Sequence, residues 1–87
     1  MKIAMKTEDS IAFPNINHSV HFALSQVLGD DIASDSEKLS ALKIYLRPSI
    51  DEDVHAVLFN INEFKSENPS YTDVLDNLTS WINDLYF

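Results

Sequence analysis

Between Tyr71 and Leu85, apolar side chains return at the spacing of a helix, and this stretch constrains the fold more than any other. Tyr71, Val74, Leu75, Leu78, Trp81, Ile82 and Leu85 share one side of a 3.6-residue turn, while Asp73, Asp76, Asn77, Ser80, Asn83 and Asp84 share the other. Pro69-Ser70 opens the segment, with Asp73 three residues after Ser70, a spacing typical of a helix start. An amphipathic helix of about four turns is expected over residues 71–86.

The same periodicity continues upstream. Val20, Leu24, Val27 and Leu28 form one stripe after Asn15 and Asn17, either of which can cap a helix. Gly29, the only glycine, falls where a left-handed C′ residue belongs, so a helix is expected over 17–28. Ser34 with Glu37 has capping-box spacing, and Leu39, Leu42, Tyr45 and Leu46 fit a helical face, which leaves Ile44 off it. Arg47-Pro48 is read as the stop, giving 35–47. Ser49 and Glu52 repeat the capping spacing, and Ile50, Val54, Val57, Leu58, Ile61 and Phe64 make a six-position stripe over 50–65. Asp51, Glu52 and Asp53 then occupy the first turn and Lys65 the last, as the helix dipole prefers.

A rival reading exists for the middle of the chain. Leu42, Ile44 and Leu46 also alternate as a strand would, and 54–61 is rich in middling or poor helix formers. A hairpin 41–47/54–61 packed on helices 17–28 and 71–86 would make the fold α+β. Periodicity decides, because a six-position stripe is hard to obtain by accident. The expected architecture is all-α, a small bundle of four helices, 17–28, 35–47, 50–65 and 71–86, in one domain spanning 1–87.

Length and composition bound the function. Eighty-seven residues that are 45% apolar support one modest core, and the absence of cysteine excludes disulfides, thiolate chemistry and cysteine metal sites. The formal charge is −8, and residues 48–87 set Lys65 alone against Asp51, Glu52, Asp53, Glu63, Glu67, Asp73, Asp76 and Asp84. Such a surface repels phosphate backbones and anionic lipid and attracts a basic partner. Direct nucleic-acid and membrane partners are therefore not expected. No targeting segment or membrane-length apolar run is visible, and a cytoplasmic location is expected.

Little in the sequence marks catalysis. His18 and His21 share a helical face but lack a third ligand, and Asp51, Asp53 and His55 would converge only on a strand. No phosphate-binding loop, dinucleotide motif or nucleophile elbow occurs. No enzyme activity, cofactor or metal is expected.

What remains is surface. Asp51, Glu52, Asp53, Asp73, Asp76 and Asp84 are the candidate acidic contacts. Phe13, Phe59, Tyr86 and Phe87 have no place in the helical stripes, and of these Phe59, Tyr86 and Phe87 are the candidate anchors. The expected function is a non-catalytic acidic inhibitor or modulator of a basic protein: a nuclease, a toxin or a nucleic-acid-binding complex. In size, charge and lack of a cofactor motif the chain is similar to immunity proteins, antitoxins and phage anti-defence proteins, anti-CRISPR proteins among them, some acting as nucleic-acid mimics. The alternative is a homodimeric assembly subunit paired through Trp81, Tyr86 and Phe87.

Overall fold

The computed structural model describes the backbone from Thr7 onward and side chains from Ile16 onward. Four α-helices follow one another: α1 (Thr7–Leu28), α2 (Asp35–Glu52), α3 (Val54–Glu67) and α4 (Thr72–Tyr86), with a 3₁₀ turn, Pro69–Tyr71, leading into α4. Residues 41–47 and 54–61 are both helical, so the hairpin alternative is not what this sequence adopts. Burial explains the outcome. Leu42 and Leu46 are buried while Ile44 between them is exposed, and the neighbours Ala56 and Val57, like Asn60 and Ile61, are buried together, which a helix allows and the alternation of a strand does not.

Helix α1 packs on α2 and α3, and α4 packs on the same two helices. Thus α1 and α4 occupy opposite corners of the bundle. Leu24 and Leu28 from α1, Leu42 and Leu46 from α2, Val57 and Ile61 from α3, and Leu75, Leu78 and Ile82 from α4 meet in one core. Its polar member, Asn60, donates from Nδ2 to Asn17 Oδ1 at 2.7 Å and to the Ala56 carbonyl at 2.8 Å, which ties α3 to α1. That contact corrects the expected start of the first helix. α1 begins at Thr7, so Asn15 and Asn17 are interior positions, and the Asn17 side chain is spent across the core rather than on a cap.

The second boundary also moves. α2 does not stop at Arg47 but runs through Pro48 to Glu52. An interior proline costs roughly 3 kcal/mol, while burying an isoleucine returns about 1.5–3 kcal/mol. Ile50 is buried one turn beyond Leu46, and both Pro48 and Ile44 face solvent, so water can reach the Ile44 carbonyl that Pro48 leaves unbonded. Asp53 alone then separates two helices. Its N–H closes α2 on the Ser49 carbonyl at 2.9 Å, and its carboxylate caps α3 by accepting from the Ala56 N–H at 3.2 Å. Asp51 and Glu52 consequently end α2 instead of opening a helix from residue 50.

Other local expectations fare differently. The Ser34–Glu37 capping box forms in full, at 3.2 Å to the Glu37 N–H and 2.9 Å from the Ser34 N–H. Gly29 follows α1, but its φ lies outside the left-handed range; a Cβ there would sit 2.8 Å from the Ser25 carbonyl oxygen, so close approach is its contribution. Tyr45 and Leu85, both read as core positions, are exposed. No helix among the described residues is long and apolar enough to cross a membrane.

Candidate functional site

Helices α3 and α4 form an antiparallel hairpin whose register is fixed at both ends. Near the connecting turn, Lys65 Nζ meets Asp76 Oδ1 at 2.8 Å. At the open end, the His55 ring stands 5.4 Å from the Phe87 ring. This pairing brings Glu63 and Glu67 of α3 to the same end as Asp73 and Asp76 of α4. All four are exposed, and Asp84 continues the polar side of α4. Asp73 to Asp84 spans about 16 Å at 1.5 Å per residue.

The open end of the hairpin carries an aromatic edge. Phe59 lies one turn beyond His55 on the outer side of α3 and is 64% exposed, and Phe87 is 68% exposed. His55 thus meets one expected anchor, Phe87, and stands one helical turn before the other, Phe59. Sequence reasoning singled out Phe59 and Phe87 but gave His55 no part in this edge. Its spacing of four from Phe59 was the available signal.

Asp51 and Tyr86 belong to a different place. The Tyr86 hydroxyl donates to Asp51 Oδ1, and Arg47 Nε lies 3.5 Å from the same oxygen. That hydrogen bond is the main reason the Tyr86 phenol is pushed above its ordinary 10.0; desolvation adds to the rise and the Arg47 charge opposes it. Arg47 also covers the Trp81 and Tyr86 rings at 5.8 and 5.7 Å, and Lys43 covers Trp81 at 5.1 Å. These contacts stitch α4 to α2. The aromatic patch expected to pair two copies is therefore divided, with Trp81 and Tyr86 under internal cations and Phe87 open. Glu52 is exposed at the end of α2, while Asp53 is half-buried in its capping role. Phe13 lies outside the described side chains.

Every described cation is engaged inside the molecule. Lys38, nearly buried, sits over Tyr71 at 5.6 Å; Lys43 and Arg47 cover the α4 aromatics, and Lys65 holds Asp76. Asp73, Asp84, Glu52, Glu63 and Glu67 make no ion pair among the described residues. Among the described residues Lys65 compensates Asp76, and the other acids of the hairpin have no ion-pair partner.

The histidines do not converge. His18 stacks toward Phe22 at 6.4 Å, His21 meets the edge of Phe64 at 5.8 Å, and among the described residues no group of three potential ligands could hold a metal ion. Two hollows lie between α1 and α2. The larger, about 260 Å³, is lined in part by Asp30, Glu37 and Lys38. Its carboxylates already have structural work: Asp30 accepts from the Ile32 N–H at 3.1 Å, and Glu37 closes the capping box. The smaller, about 120 Å³, lies among Phe22, Ala23, Gln26 and Tyr45. Comparison with protein-family models, curated proteins and solved structures finds no match to this chain.

Proposed function

We propose that the chain is a non-catalytic acidic binding protein that inhibits or modulates a basic, nucleic-acid-handling protein, in the manner of an immunity protein, antitoxin or phage anti-defence protein. One observation carries this reading: the cations of the described chain are consumed internally, while among the described residues Glu63, Glu67, Asp73 and Asp84 of the α3–α4 hairpin have no ion-pair partner. A cationic surface approaching the molecule is drawn to that corner.

Charge density refines the mechanism. A nucleic-acid strand presents a phosphate about every 3.4 Å along its axis. Asp73, Asp76 and Asp84 place only three carboxylates along roughly 16 Å of α4, so the helix copies a phosphate row sparsely. The acids serve chiefly to steer association, and Phe59 and Phe87 provide the desolvated contact that slows dissociation.

Affinity capture with the purified chain, followed by mass spectrometry, tests this. A basic nucleic-acid-handling protein should be retained by the wild type and lost on Asp73→Lys/Asp76→Lys. Retention indifferent to that reversal, or a captured partner that is itself acidic, counts against the proposal.

A further inference from the structure

We propose that the outer side of the α3–α4 hairpin selects arginine over lysine in its partner, an inference that rests on the acidic binding role proposed above. Two pairs of side chains carry it. Phe59 of α3 is 64% exposed and has the exposed Glu63 one turn after it. Phe87 is 68% exposed and has the exposed Asp84 one turn before it; its N–H bonds the Asn83 carbonyl at 3.0 Å, so the helical path continues to it. Side chains at these spacings are neighbours on a helix surface, with Cβ atoms about 5–6 Å apart. Each pair therefore offers a ring and a carboxylate to the same incoming group. Among the described residues Glu63 and Asp84 have no ion-pair partner, and no cation covers Phe59 or Phe87.

The protein already holds one arginine of its own in such a setting. Arg47 lies over Trp81 and Tyr86 at 5.8 and 5.7 Å, while its Nε stands 3.5 Å from Asp51. The outer pairs repeat that combination of ring and acid without a described cation of the chain upon them. Charge complementarity names the occupant: on a chain of net charge −8, carboxylates beside exposed rings favour a cation that can use both. Guanidinium is planar, weakly hydrated and forked, so it stacks on a ring and still donates to a carboxylate. The lysine ammonium is compact and strongly hydrated, and gains less from the ring. The contact residues of the basic partner are therefore exposed arginines.

NMR titration of isotope-labelled protein with hexa-arginine and hexa-lysine peptides, at low salt, reads this preference. An exposed ring adds about two- to fivefold in affinity for a stacked guanidinium, so with two rings in use hexa-arginine should bind roughly fivefold tighter than hexa-lysine. The amide shifts should centre on Phe59, Glu63, Asp84 and Phe87. Phe59→Leu/Phe87→Leu keeps apolar cover at two exposed positions and should bring the two peptides within about twofold of each other, with hexa-lysine affinity unchanged. Equal affinities for the wild type, or an arginine preference that survives the double leucine variant, overturn the inference and leave the acidic binding role standing. Binding of neither peptide overturns both.

Discussion

Helices α1 and α4 stand at opposite corners of the bundle and contribute to one core, yet their outer sides have little in common. α1 turns Val20, Leu24 and Leu28 inward and shows the solvent Phe22, serines, a glutamine and a histidine. α4 turns Leu75, Leu78 and Ile82 inward and shows Asp73, Asp76 and Asp84. Folding asks the same of both helices, an apolar stripe of adequate volume. It leaves the outer sides free, and there they diverge: the described part of α1, Ile16–Leu28, is uncharged and aromatic, and α4 is anionic. The difference teaches that a shared core fixes the inner stripe of each helix and leaves the outer composition unconstrained by folding.

If both corners share one core, equivalent deletions inside them should hurt equally. Leu24→Ala and Leu78→Ala each remove a fully buried side chain and should each lower stability by about 2–5 kcal/mol in urea unfolding. Phe22→Ser and Asp73→Asn change only the outer sides and should stay within about 0.5 kcal/mol of wild type. A large difference between the two leucine variants would break the symmetry claimed for the core.

Smaller effects locate the seams between the corners. Asn60→Ala strips the buried link from α3 to α1, leaves Asn17 Oδ1 short of a donor, and should cost about 1–3 kcal/mol. Asp53→Ala removes the cap of α3 at the one-residue junction with α2 and should cost about 1 kcal/mol. The least effect belongs to Tyr86, at the seam between α2 and α4. Because its folded-state value is raised above 10.0, the stability it contributes is fully present below that pH and is lost as pH rises through the folded-state value. Phenolate absorbance, taken as the difference between wild type and Tyr86→Phe, should titrate above 10.0, and Asp51→Ala should bring it down.

Much of this architecture was legible from periodicity. The stripes Val20–Leu28, Val57–Phe64 and Val74–Ile82 name residues that are buried, Leu58 and Trp81 only partly, because a core-facing row needs that spacing. Boundaries were less legible where a local rule competed with a tertiary gain. Pro48 reads as a stop, yet Leu42, Leu46 and Ile50 continue at intervals of four through it, and that row was the stronger signal. The displaced boundary misplaced Asp51 and Glu52 as well. Among the candidate contacts, Asp73, Asp76 and Asp84 fall on the polar side of α4 as its periodicity requires. The division of Tyr86 from Phe87 could not be read, because it depends on Arg47 and Asp51 meeting α4 from a helix distant in sequence. The Phe22–Tyr45 hollow was hidden for a related reason: Tyr45 fits the core stripe of α2 yet is exposed beside Phe22, a placement that depends on where α1 lies.

The central claim is that the anionic hairpin exists to meet a cationic macromolecule, and association kinetics test it most directly. With the captured partner immobilised, the association rate should fall steeply with ionic strength, fall at least tenfold on Asp73→Lys/Asp84→Lys, and remain unchanged in Phe22→Asp. A rate insensitive to salt and to the hairpin reversal, or one lost in Phe22→Asp, would contradict the account.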